Sequence, residues 1–295
     1  MTRSKKLSFR GIVFLLALAA LLLFCYWLFF AGSLIPQRDA DSGLIQSERA
    51  LNVLIVGSDE NPELGISGRA DTIILAQVRL DEPSLFLLSL PRDTLVEIEG
   101  HGRDKLNHAY GGIELLRSTT EQLLNVPVDY YAVTDFNGFE NIVDVLGGVE
   151  IEVDKRMYYQ TYDGLIDIEA GLQTLNGEQA LQYVRYRQDA LGDITRVGRQ
   201  QKFLKALVEK CTSSTGVFKL PQLLVEIGKM VETDLPGPYL FRLGLSMLSL
   251  QAENIESSTL PGDFVTIQGA SYWQLEEDQL QELIQANFGE NNDDE

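Results

Sequence analysis

Hydrophobic and polar positions change their spacing several times along this chain, and each change marks an element. Gly11 to Ala31 is apolar and uncharged; at about 1.5 Å of rise per residue, such a helix spans a hydrocarbon core of roughly 30 Å. Residues 32–50 mix Gly, Ser, Pro and charge without a period and read as a tether. Leu51–Val56, Thr72–Val78 and Leu85–Leu90 are short runs rich in Ile, Val and Leu, the composition of strands. The spacing predicts helices over Gly112–Asn125, Phe136–Leu146, Ile194–Cys211, Leu220–Glu232 and around Glu276–Ala286. Pro236–Leu250 is apolar almost all round, which predicts a buried segment. Asn176 is a good N-cap and Gln179 stands at the capping-box position, so a helix starts there. Tyr183-Val184-Arg185-Tyr186-Arg187 alternates with a period of two, which predicts a strand with Arg185 and Arg187 on one side. Asp163-Gly164, between Met157–Tyr162 and Leu165–Ile168, is a hairpin-turn signal. Residues 51–286 are therefore expected to form one α/β domain with a central mixed sheet flanked by helices, at the upper end of single-domain size. An acidic tail, 287–295, follows it, disordered from Glu290.

Charge adds orientation. Residues 1–10 carry Arg3, Lys5, Lys6 and Arg10 with no acid, which places that short side in the cytoplasm and the domain outside it, with Tyr26 and Trp27 at the outer interface. A cleavable signal peptide would have a shorter apolar core and a small-residue site, whereas Leu28-Phe29-Phe30 continues the run, so residues 11–31 read as an uncleaved single-pass anchor in the lipid of the cell membrane. Phe24 ahead of Cys25 argues against lipid attachment there. The chain has 43 acidic and 24 basic side chains, for a net charge of −19. Such a balance excludes nucleic acid and anionic lipid surfaces as general partners. Cys211 is the one thiol outside the anchor, so no intrachain disulfide forms; two histidines without cysteine pairs make a zinc site a poor reading.

Against that acidic background Arg185, Arg187, Arg196 and Arg199 lie close together. Guanidinium groups are permanently charged planar forks that match phosphate oxygens two at a time, so gathering several against their mutual repulsion points to a multiply charged phosphate. Surface salt bridges are the bland alternative. Arg196, Arg199 and Gln200 share helical i, i+3, i+4 spacing, and Asp193 just ahead either caps that helix or acts in catalysis. Gly198 inside the helix costs about 1 kcal/mol relative to alanine unless close packing needs it.

The strand ends carry a second constellation. Gly57-Ser58-Asp59 follows the first strand, Arg69-Ala70-Asp71 leads into the second, and Pro91-Arg92-Asp93 follows the third. In an antiparallel meander these places share one edge, where Asp59, Asp71 and Arg92 meet. Two carboxylates beside a phosphate suit magnesium, which keeps several waters and takes one or two carboxylates plus phosphate oxygens. Taken singly, each Asp also reads as a turn or cap residue. His108, Asn107 and Tyr110 read as hydrogen-bonded structural residues, and spacing singles out no Ser/His/Asp arrangement.

Val56-Gly57-Ser58-Asp59, Gly68-Arg69-Ala70-Asp71-Thr72, Leu88-Ser89-Leu90-Pro91-Arg92-Asp93-Thr94, Asp104-Lys105-Leu106-Asn107-His108-Ala109-Tyr110-Gly111-Gly112, Asp144-Val145-Leu146-Gly147-Gly148-Val149 and the run from Arg185 stand in order between Leu51 and Leu207. In these motifs the chain resembles the LytR-CpsA-Psr family of bacterial envelope proteins. Glu232-Thr233-Asp234-Leu235 and Thr259-Leu260-Pro261-Gly262 are similar to its more variable C-terminal part. The resemblance implies a membrane-anchored phosphotransferase that moves a glycopolymer (teichoic acid, capsular or similar polysaccharide) from polyprenyl pyrophosphate to peptidoglycan, forming a phosphodiester link. It implies Asp59 and Asp71 as ligands of Mg2+ or Mn2+. Around the pyrophosphate it implies Arg69, Arg92, Arg185, Arg187, Arg196, Arg199 and Gln200. It further implies Asp71, Arg92 and Asp193 as catalytic, and a groove between sheet and helices for the polyprenyl chain. Glu60-Asn61-Pro62-Glu63 after Asp59 departs from the expected small, Arg-containing continuation, so one phosphate contact is missing there. A polyprenyl-pyrophosphate hydrolase or a non-catalytic prenyl-phosphate-binding regulator could use the same clamp, although a regulator has no need of the paired Asp59 and Asp71.

Overall fold

The computed structural model describes residues 50–59, 68–80, 82–161, 164–188, 193–213, 219, 222–223, 225 and 228–289. The basic segment, the anchor over 11–31, the tether as far as residue 49, Glu60–Glu63, Asp163, the span 189–192 and the tail from Glu290 lie outside the described residues. Among the described residues no helix is long and apolar enough to cross a membrane.

Leu51–Ser58 (β1), Ala70–Arg79 (β2) and Ser84–Ser89 (β3) form the antiparallel meander expected from the apolar runs. Alternate side chains point to opposite faces. Leu54, Val56, Ile73, Leu75 and Leu88 enter one core, and Ile74, Ala76, Val78, Leu85 and Leu87 enter another. A hairpin of Leu95–Ile98 (β4) and Gly102–Lys105 (β5) leads through a 3-10 turn at Leu106–Ala109 to Ile113–Leu124 (α1). Asn125 ends α1 in the left-handed conformation that its short polar side chain tolerates. Tyr130–Thr134 (β6) then joins β1 in parallel.

Asp135 caps Phe136–Leu146 (α2), its carboxylate accepting from the Gly138 amide at 2.7 Å. Gly147 and Gly148, at φ 80° and 86°, close the helix through bonds to the Asp144 and Val143 carbonyls. A Cβ on Gly148 would also stand 2.8 Å from the Leu175 carbonyl oxygen, so glycine is needed twice over. Beyond it Val149–Val153 (β7) pairs with Gly171–Leu175 (β10), and Met157–Gln160 (β8) with Leu165–Ile168 (β9), the hairpin signalled by the turn.

Gly177–Arg185 (α3) opens on the predicted capping box: Asn176 Oδ1 accepts from the Gln179 amide at 2.9 Å, and Gln179 Oε1 from the Asn176 amide at 3.2 Å. The strand expected over Tyr183–Arg187 does not form. Ala180, Tyr183 and Val184 continue the helical face into a core shared with β7 to β9, and the chain leaves the helix only at Tyr186, with ψ 131°. Asp193–Thr212 (α4) crosses from that core to the sheet, packing against β7, β3 and β12, the strand Ile255–Thr259.

The described positions between 222 and 230 are helical, but Val231–Thr233 (β11) is a strand paired with β6, so the helix expected to Glu232 ends early. Gly237–Met247 (α5) is not the buried segment its composition predicts. Leu243 packs on the sheet core and the Tyr239 ring meets that of Tyr130 in β6, while Leu245 is 47% exposed. β12 completes a six-stranded sheet of order β11-β6-β1-β2-β3-β12, parallel to β3. The hairpin Gly262–Ile267 (β13) and Ala270–Leu275 (β14) precedes Glu277–Phe288 (α6). Helices α1 and α6 cover one face of this mixed sheet and α4 and α5 the other, the α/β layering expected.

Candidate active site at the sheet edge

β1 and β2 stay in register from Leu51 opposite Val78 to Gly57 opposite Thr72, after which Ser58 faces Ala70. Asp71 is therefore an extra residue in the ladder, and such a bulge bends the strand and re-aims its side chain. Arg92, on the loop after β3, donates from Nη1 to Asp71 Oδ1 at 2.5 Å. Asp93 holds the same loop from the other side, with Oδ2 3.7 Å from Arg92 Nε and Oδ1 accepting from Lys105 Nζ at 2.7 Å. Backbone bonds fix its course: the Asn107 amide donates to the Arg92 carbonyl at 3.0 Å and the Leu106 amide to that of Thr94 at 2.8 Å. Asp71 and Arg92 are 28% and 22% exposed. Water thus screens their attraction less than it would on an open surface.

Asp59 and Arg69 meet across the mouth of the β1–β2 loop. The Asp59 amide donates to the Arg69 carbonyl at 3.2 Å, and the Arg69 amide to Asp59 Oδ1 at 2.5 Å. One Asp59 oxygen thus has the loop-closing role that aspartates take in turns, while the Arg69 side chain is exposed.

The first turns of α4 lie over this edge. Gln200 Nε2 donates to Thr72 Oγ1 at 3.1 Å, next to Asp71. Gln201 Nε2 lies within hydrogen-bond reach of Ser89 Oγ at 3.1 Å, the Ser258 carbonyl at 2.7 Å and Thr259 Oγ1 at 3.1 Å. These glutamines pin α4 to the ends of β2, β3 and β12. Nothing in the sequence pattern singled out Gln201, whose partners are distant in the chain. Arg196, 5% exposed, lines a cavity of about 720 Å³ together with Arg92, Asp93 and Trp273.

The other arginines go elsewhere. Arg199, also 5% exposed, donates from Nη2 to the Tyr186 carbonyl and stands 5.4 Å from the Tyr186 ring centre. Near it burial pushes the Tyr183 hydroxyl up to about 12, and Arg199 opposes that rise. Arg185 lies 4.6 Å over the Phe136 ring, and Arg187 is exposed. The shared side expected of these two required a strand; the helix end separates them. Phe136 follows β6, whose Thr134 pairs with Gly57, so Arg185 still lies along the same sheet edge. Asp193 opens α4, and its side chain lies outside the described residues. His108 Nδ1 is 2.8 Å from Asp104 Oδ2, and this hydrogen bond is the main cause holding the Asp104 carboxyl below its ordinary value.

Among the described residues no three His, Cys, Asp or Glu side chains gather around one point. The available donor set is Asp59 and Asp71, each with one oxygen on a protein donor and a second oxygen besides. Such a pair fits magnesium when phosphate oxygens and water complete the shell.

Mixed sheet, edge motifs and arginine-lined cavity define the class: the chain belongs to the LytR_cpsA_psr family, whose model matches residues 33–288. Its relatives include the polyisoprenyl-teichoic acid–peptidoglycan teichoic acid transferase TagU of Oceanobacillus iheyensis, 32% identical over 255 residues, 83% of this chain and 78% of the relative. The regulatory protein MsrR of Staphylococcus aureus is 34% identical over 224 residues, 75% of this chain and 67% of the relative. A solved structure of TagT bound to LIIa-WTA matches with a TM-score of 0.68 at 32% identity, covering 80% of this chain and 89% of the TagT chain.

Proposed function

We propose that this chain is a phosphotransferase that moves a glycopolymer from polyprenyl pyrophosphate to peptidoglycan. The observation that carries the reading is the Asp71–Arg92 ion pair at the sheet edge, with Arg92 and the buried Arg196 lining one cavity. TagU is named as a polyisoprenyl-teichoic acid–peptidoglycan teichoic acid transferase, and a TagT structure holds LIIa-WTA, which supports this reading.

In this reading Arg92 and Arg196 bind the lipid pyrophosphate and balance the charge that builds on its oxygens as the bond to the leaving group lengthens. An acceptor-glycan hydroxyl attacks the sugar-linked phosphorus. The new O–P bond forms as the bridging P–O bond breaks, and polyprenyl monophosphate leaves with that electron pair. Asp71, oriented by Arg92, receives the hydroxyl proton. Asp59 and Asp71 are the residues that would hold Mg2+ or Mn2+, which supplies further positive charge to phosphate when bound. Gln200 and Gln201 keep α4 and its arginines in register with the sheet, while Arg69, Arg185, Arg187, Arg199 and Asp193 are assigned supporting positions. Residues 11–31 anchor the chain in the membrane with the domain on the outer side.

The likeness to MsrR favours a second reading, a regulator that binds prenyl phosphate without turnover. One assay separates the two: transfer of a lipid-linked glycan to peptidoglycan fragments across a magnesium titration. Asp71→Asn is expected to keep the fold and the lipid affinity while transfer falls to background. Unchanged transfer with unchanged magnesium response in that variant overturns the Asp71 assignment, and lipid binding without turnover in the unmodified protein favours the regulator.

A further inference from the structure

The cavity beside the arginines has a second, chemically different wall, built by elements that follow the sheet. Phe264 and Trp273 stand opposite each other in the β13–β14 ladder, their rings edge to face with centroids 5.0 Å apart. Trp273 is locked in place: its indole N–H donates to the Leu260 carbonyl at 3.1 Å and its amide to the Asp93 carbonyl at 2.8 Å. Phe264 is 43% exposed. Glu276, at the start of α6, and Glu282 complete this wall, and Gln279 Nε2 donates to Glu276 Oε2, which fixes that carboxylate.

We propose that this wall is a subsite for an uncharged, hydroxyl-rich saccharide. Ionised carboxylates only accept hydrogen bonds, so their ligand must bring donors, as hydroxyl and acetamido groups do. An exposed aromatic face, negative at its centre, suits the weakly positive C–H face of a pyranose ring. A phosphate-bearing chain meets repulsion from Glu276 and Glu282 but attraction from Arg92 and Arg196, so the cavity sorts its occupants by charge: phosphate to the arginine side, neutral sugar to the glutamate side. The backbone bond from Trp273 to Asp93 holds the two walls in fixed relation, and an acceptor hydroxyl must lie within reach of the phosphorus for displacement to occur. On the transferase reading above, the saccharide held here is the acceptor; the binding itself does not depend on that reading.

The test uses the full chain in detergent micelles, carrying Trp27→Phe so that Trp273 is the sole tryptophan. Chitotetraose, a neutral β-linked N-acetylhexosamine probe, is expected to produce a saturable change in Trp273 fluorescence. Phe264→Ala should weaken that binding by roughly threefold to tenfold through loss of ring stacking. Glu282→Gln should weaken it as well, with polyprenyl pyrophosphate affinity lowered in neither variant. No saturable change with chitotetraose, or wild-type affinity in Phe264→Ala, overturns the subsite. Tighter binding of a glycerol phosphate oligomer or of tetralysine overturns it too, reassigning the wall to an anionic polymer or a cationic peptide. Chitotetraose binding in a protein that shows no transfer supports the subsite and overturns only its role as acceptor site.

Discussion

Arg92 stands between two carboxylates on a loop held by backbone bonds, so its charge is positioned before any ligand arrives. Arg92→Ala removes that charge and leaves Asp71 without its guanidinium. Polyprenyl pyrophosphate binding is expected to weaken by about 2–5 kcal/mol in a direct titration. Arg92→Lys should recover only part of this, because an ammonium cannot present a planar pair of donors. Wild-type affinity in the alanine variant would take Arg92 out of the site. His108 has a different task. Asp104 is depressed below 3.8, chiefly by its hydrogen bond with His108 and against the desolvation that raises it. A depressed carboxyl contributes stability above its unfolded value and loses that contribution as pH falls through its folded one. His108→Ala should therefore move the Asp104 titration up toward 3.8, read by carboxyl NMR, and flatten the fall of Tm with acid below that value. A titration that does not move would assign the depression to Lys105 instead.

Within α4, Gly198 is exposed, and a Cβ added there would meet nothing within 4 Å. Close packing does not require the glycine, so Gly198→Ala should stabilise the fold by about 0.5–1 kcal/mol, measured as a rise in Tm. A fall in lipid affinity alongside would reveal that a ligand approaches this backbone. Helices α1, α2 and α6 were legible from their apolar spacing, and α2 also from Asp135, whose carboxylate caps it. The strand misread over Tyr183–Arg187 shows how little five residues specify: alternation there coincides with the last turn of a helix whose cap lies seven residues upstream at Asn176. β6 and β12 escaped notice because each is short and only partly buried, and β12 exposes Glu256 and Ser257. What makes them strands is pairing with partners far away in the chain, which local pattern cannot register. The same distinction runs through the site. Asp71 and Arg92 were visible at strand ends, whereas Gln201 and the Phe264–Trp273 wall acquire their positions from tertiary contacts alone.

At the scale of the whole molecule, the proposed anchor and outward domain predict that protease added to intact spheroplasts digests the domain; protection from digestion would reverse the orientation. A consequence for synthesis lies in the parallel pairing of β12 with β3, where Leu85 meets Ile255. A chain emerging N-terminus first exposes the edge of β3 long before its partner exists, and closing so large a loop carries an entropic cost that only the finished sheet offsets. Ser258, Thr259 and the hairpin behind them arrive last, bringing the anchor points of Gln201 and the far wall of the cavity. Chains released early therefore lack those anchor points and that wall, so interrupted translation yields fragments without the finished cavity.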